Sequence, residues 1–212
     1  MKIHKRTLSI IINTFFLVLF SLFFAACTQD QPKLPHLVTG NTIVAFGDSL
    51  TYGVGTSQEN SYPAVLEKLI GFRVINAGVS GETTEGSISR LPGVLEKYKP
   101  ALVILCIGGN DMLHRIPHET IANNLKQLIE MVKSSGASVV LIGVPQLSIM
   151  LSSPDFYKEI AHESDIPVDM TLLPKLLRTQ EYKSDAIHLN AEGYHAFAEG
   201  IAAFLKKQGA ID

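Results

Sequence analysis

The chain has 212 residues, of which 46% are hydrophobic and 18% charged, with two cysteines, no tryptophan and a formal net charge of −2. That length suits one domain with a substantial core. The composition excludes a disordered chain, a disulfide-stapled mini-protein and a collagen-like fibre, and the charge balance excludes the basic signature of a nucleic-acid binder.

Residues 1–6 carry Lys2, Lys5 and Arg6 and no acid; residues 8–26 are apolar, and Cys27 follows. A basic start, an apolar middle and small residues at the end make residues 1–26 an export signal. Ala25 and Ala26 before Cys27 resemble a lipobox, which implies acylation of the cysteine thiol and a membrane anchor. Phe24 stands where that pattern prefers Leu. An ordinary signal peptide and an uncleaved anchor helix remain as alternatives. Each puts the domain on the exported side, in the periplasm or at the cell surface. Residues 27–40, which include Gln29, Asp30, Gln31, Pro32 and Pro35, read as a tether, and residues 41–212 as the domain. Without residues 1–26 the chain keeps 15 basic and 20 acidic side chains, a net charge of −5.

Short apolar runs then alternate with segments of helical length. Residues 42–46 (TIVAF) read as a buried strand. Ser61 is placed to cap a helix with Pro63 in its first turn and Gly71 at its end. Residues 72–76 (FRVIN) read as a second strand, and residues 84–98 as a helix that Pro92 can break or kink. Residues 101–107 (ALVILCI) are continuously apolar and branched, as in a central parallel strand, with Cys106 as a small buried hydrophobe.

Residues 117–135 are amphipathic, with Ile121, Leu125, Leu128, Ile129 and Val132 on one stripe, and Gly136 ends them. Residues 138–143 (SVVLIG) read as the fourth strand. Residues 144–182 are less regular, with helix near 156–161 and 172–177. Asn190 is placed to cap a last helix running to about Lys207, its core face formed by Ala196, Phe197, Ile201 and Phe204. Strands separated by helices imply a parallel α/β sheet covered on both faces, with its ligand crevice beyond the carboxyl ends of the strands.

The residues that carry chemistry follow those ends. The first strand runs into Gly47-Asp48-Ser49-Leu50, the second into Ser80-Gly81-Glu82-Thr83, the third into Gly108-Gly109-Asn110-Asp111, and Asp185-Ala186-Ile187-His188 precedes the last helix. A serine hydroxyl is a weak nucleophile that needs an adjacent base, which His188 can supply to Ser49. Asp185, three residues earlier, can reach the other ring nitrogen of His188 and fix its tautomer. The amides of Ser49 and Gly81 and the side-chain amide of Asn110 can form an oxyanion hole.

With these four blocks in this order, over about residues 42–205, the sequence closely resembles the GDSL esterases, or SGNH hydrolases. It looks most like their thioesterase I / lysophospholipase L1 / arylesterase group. The resemblance implies a three-layer, flavodoxin-like fold. It also implies hydrolysis of acyl esters or thioesters without metal or organic cofactor. Ala186 and Leu189 stand where close relatives often have Gly and Pro, which bears on the geometry of the loop holding His188.

Other readings of the same residues are weaker. Gly78-Val79-Ser80-Gly81 suggests a nucleophile elbow, but Glu82 occupies its final glycine position. Asp48 and Asp111 read as helix caps or loop braces. His195 reads as structural, no histidine pair has zinc-site spacing, and Gly53-Val54-Gly55 reads as a loop. Met112, Leu113 and Ile116, with Leu147, Ile149, Met150 and Leu151, either line an acyl groove or pack under the irregular region. The expected activity is a serine esterase acting on a small acyl ester or lysophospholipid. A carbohydrate O-deacetylase and an inactive lipid-binding module are the alternatives.

Overall fold

In a computed structural model that describes residues 31–148 and 150–212, five short runs pair into one sheet. They are β1 (Thr42–Gly47), β2 (Arg73–Gly78), β3 (Leu102–Cys106), β4 (Ser138–Ile142) and β5 (Val168–Asp169). Every pairing is parallel and the spatial order is β2-β1-β3-β4-β5. Every residue of β3 is buried, as its uninterrupted apolar run requires. The export signal, Cys27 and Ile149 lie outside the described residues.

Parallel neighbours need crossovers, and the intervening segments supply them as helices. These are α1 (Ser49–Tyr52), α2 (Tyr62–Ile70), α3 (Thr84–Tyr98), α4 (Gly109–Leu113), α5 (His118–Ser134), α6 (Phe156–Glu163), α7 (Leu172–Arg178) and α8 (Ala191–Lys207). α2 packs with α8 and α3 with α5. Right-handed crossovers put those two pairs on opposite faces of the sheet, giving three layers. The apolar stripe of α5 is buried throughout, and Phe197, Ile201 and Phe204 of α8 face the core. Among the described residues no helix is long and apolar enough to cross a membrane.

Local details depart from the sequence reading in four places. Pro92 sits on the exposed side of α3, which runs through it uninterrupted. Ser61 occupies the cap position of α2 but donates its hydroxyl to the carbonyl of Gln58 at 2.7 Å instead of capping. β5 was not foreseen. Finally, the chain is already docked well before residue 41. The side-chain amide of Gln31 both donates to the carbonyl and accepts from the amide of Val168, at 3.0 and 2.9 Å. Leu34 and Leu37 are buried, and their amides donate to the carbonyls of Gln208 and Ala210. The tether reading rested on Pro and polar residues and missed the two leucines between them.

At their carboxyl ends the strands converge on glycine. Gly47 stands level with Gly78 on one side and with Cys106 on the other. A Cβ on Gly47 would lie 2.0 Å from the carbonyl oxygen of Cys106, and one on Gly78 would lie 2.1 Å from the amide nitrogen of Tyr52. These gaps let α1 drop against β2. Gly78→Ala should therefore cost about 1–3 kcal/mol of stability through overpacking. Gly93, in the exposed interior of α3, has nothing within 4 Å of its would-be Cβ. Gly93→Ala should add about 0.5–1 kcal/mol. Denaturant midpoints shifting in the same direction for both variants would contradict this account.

Candidate active site

β1 and β3 flank the point where strand order reverses, and Ser49 and Asn110 follow those two strands. Asp48 caps α1, accepting from the amide of Leu50 at 3.0 Å. Ser49 is thus the first residue of a helix, where the amide has no intrahelical partner. His188 arrives from the other end of the chain. Its loop is closed by an antiparallel bridge between Lys183 and Leu189 and by the bond from the Ser184 amide to the His188 carbonyl. Leu189 is fully buried and anchors this loop in the core. Gly55 lets the loop after α1 pass beside it, since a Cβ there would lie 2.2 Å from Ser184 Oγ and 2.5 Å from the Leu189 carbonyl oxygen.

The result is one hydrogen-bonded run. His188 Nε2 lies 2.9 Å from Ser49 Oγ, and His188 Nδ1 lies 2.7 Å from Asp185 Oδ2. Asp185 Oδ1 accepts from the amides of Ile187 and His188, both at 2.8 Å. Burial raises the Asp185 carboxyl, but the bonds from the His188 ring and from the two amides outweigh it and hold it below the usual range.

Asn110 Nδ2 donates to the carbonyl of Glu82 at 2.9 Å, which ties the loop after β3 to the loop carrying Gly81. Gly81 is exposed, with φ +81° and open space around its would-be Cβ, so its backbone conformation is what calls for glycine there. Beside Ser49 and His188 opens a cleft with a cavity volume of about 90 Å³. Leu113, Leu147, Leu151, Leu177 and Ile187 form much of its apolar wall.

A family model for the GDSL-like lipase/acylhydrolase family matches residues 45–196, well over half of the chain. The chain belongs to that family. An arylesterase of Vibrio mimicus is 31% identical to this acylhydrolase over 197 residues, covering 88% of it and 95% of the relative. The thioesterase 1/protease 1/lysophospholipase L1 of Escherichia coli K12 is 29% identical over 199 residues, 90% of each chain. The crystal structure of TesA superimposes with a TM-score of 0.72 at 26% identity, covering 79% of this chain and 99% of that one. The acylhydrolase is an esterase on an SGNH-hydrolase fold.

The structure brings Ser49, Asp185, His188 and Asn110 to one edge, with Met112 and Leu113 in the cleft wall. Ile116 is not part of that wall. The chain leaves α4 through His114 and Arg115, the latter at φ +60°, and Ile116 turns back to pack half-buried against the core. Leu147 and Leu151 line the cleft, whereas Met150 points largely to solvent. Val144, Gln146, Leu177 and Ile187 line it too and were not foreseen; Ile187, between Asp185 and His188, was the one within reach of sequence reasoning.

Asp111 braces as expected. Its carboxylate accepts from the Thr84 hydroxyl at 2.6 Å and from the Thr84 amide at 2.9 Å. Asp48 is buried behind Ser49, and burial, with Asp111 and Glu82 nearby, pushes its carboxyl from 3.8 up to about 7 despite the bond from Leu50. An acid whose folded pKa is raised destabilises the fold as it ionises. Its contribution should therefore be lost as pH rises from about 4 to about 7 and stay level above that. Asp48→Asn keeps the acceptor for Leu50 and removes the charge, so it should flatten this decline. A wild-type slope in the melting temperature of that variant between pH 4 and 8 would contradict the assignment.

Proposed function

We propose that the acylhydrolase is a serine esterase for short- to medium-chain acyl esters, arylesterase- and lysophospholipase-like, working through Ser49, His188 and Asp185. The hydrogen-bonded run of those three side chains at the mouth of an apolar cleft carries this reading. Ser49 Oγ attacks the carbonyl carbon of the ester while His188 Nε2 takes the hydroxyl proton. Asp185 holds the ring and stabilises the imidazolium. The negative charge on the former carbonyl oxygen is met by the amides of Ser49 and Gly81 and by Asn110 Nδ2. Collapse of the adduct breaks the ester bond, and the leaving alcohol or thiol takes the proton from His188. Water then attacks the acyl-Ser49 ester with the same base, releasing the acid and restoring the serine.

The names of the relatives support the substrate class. The apolar wall suits an acyl chain, each buried methylene adding up to about 0.8 kcal/mol, or roughly fourfold in kcat/KM. The assay uses p-nitrophenyl esters of increasing acyl length. Activity should climb from acetate and then level off when the cleft is full, and Ser49→Ala should remove it. An optimum at acetate with acceptance of acetylated sugars would favour the deacetylase reading. Full activity in Ser49→Ala would overturn the mechanism.

The export signal and Cys27 support a lipid-anchored enzyme on the exported side of the membrane. In detergent phase partitioning the full chain should enter the detergent phase, and Cys27→Ser should move to the aqueous phase. Retention of Cys27→Ser in the detergent phase would instead indicate that residues 8–26 remain as an uncleaved anchor.

A further inference from the structure

We propose that the ion pair between Glu82 and Arg90 is a positioning device that aims the Asn110 side chain into the cleft. This inference rests on the reading of Asn110 as an oxyanion donor.

The loop between β2 and α3 is pinned at both ends. The Val79 amide donates to the Gly47 carbonyl at 3.0 Å, and Thr84 is held by Asp111. Between them lies Gly81, in a left-handed conformation with open space around it. Glu82 is where this loop meets Asn110, through the 2.9 Å bond from Asn110 Nδ2 to the Glu82 carbonyl. A side-chain amide has two N–H groups on one nitrogen. Fixing one of them on Glu82 sets the plane of the amide and therefore the direction of the other, and Asn110 lines the cleft.

What fixes Glu82 is its own side chain. Its carboxylate accepts Arg90 Nε at 2.6 Å and a second bond from Arg90 Nη2, a bidentate pair of the geometrically demanding kind. The Glu82 side chain is 7% exposed and that of Arg90 26%. The guanidinium lies over the ring of Phe46 with Cζ 4.0 Å from its centroid, and Phe46 is a fully buried residue of β1. A chain of contacts thus runs from the core strand that delivers Ser49, through Phe46, Arg90 and Glu82, to Asn110. A pair this buried is poor as a stabilising device, because desolvation offsets much of its attraction. Its value lies in orientation, since a catalytic donor displaced by about 1 Å can lose roughly a hundredfold in rate.

The test replaces both partners together, Glu82→Leu with Arg90→Met, so that neither charge is left alone in the interior. This pair is made in the wild-type and in the Asn110→Ala background, and kcat and KM are measured on a short p-nitrophenyl ester, with the melting temperature as a check on folding. In the wild-type background kcat should fall by about 10–100-fold with KM within about twofold. In the Asn110→Ala background the same replacement should cost less than about threefold, because its target is already gone. Arg90→Lys, which keeps the charge and loses the fork, should give an intermediate kcat and serves if the double replacement does not fold. Equal losses in both backgrounds, or no loss in either, would overturn the proposal while leaving the oxyanion hole intact. Wild-type kcat in Asn110→Ala itself would overturn the oxyanion reading, and the positioning role with it.

Discussion

The chain leaves β1 through a gap with no room for a side chain. At Gly47 the backbone passes so close to the carbonyl of Cys106 on one side, and to the level of Gly78 on the other, that a single Cβ would force the strands apart. The position of Ser49 follows from this. Because β1 can sit tightly between β2 and β3, the helix that Ser49 opens falls where the strand order reverses. There the loop bearing Asn110 and the loop bearing Gly81 come to its two sides. His188 is brought to the same place from the far end of the chain by a second close approach, at Gly55.

Around that point two carboxylates near the serine have opposite environments. Asp185 is half exposed and collects hydrogen bonds, which favours its charge. Asp48 is buried beside two other acids with Arg90 the cation on Glu82, and its charge is disfavoured. Two residues of the same type are thus separated in ionisation by burial, hydrogen bonding and neighbouring charge. The one next to Ser49 in sequence is the one that resists carrying charge.

Much of this was legible in the sequence because it is local. The runs TIVAF, ALVILCI and SVVLIG become β1, β3 and β4 because continuous branched apolar residues fit a sheet buried on both faces. The three-residue spacing of Asp185 and His188 foretold their contact, since one turn suffices to close it. What escaped depends on distant partners. β5 is two residues long and exists through its pairing with β4. The inward turn of Ile116 depends on a left-handed Arg115 that no periodicity announces. Glu82 and Arg90 are eight residues apart on a loop and a helix, so nothing in their spacing marks them as a clamp.

The docking of residues 31–37 has a consequence for how the domain is made. Gln31 completes the edge at Val168, and Leu34 and Leu37 hydrogen-bond to Gln208 and Ala210. The earliest described segment therefore finds its place only against a segment translated some 170 residues later. Contacts of such long sequence separation close late in folding, because the loop entropy they must overcome is large. Until the region of Ala210 has been made, Leu34 and Leu37 lack the partners that hold their amides. Its amino-terminal edge is thus sealed as one of the final acts of assembly.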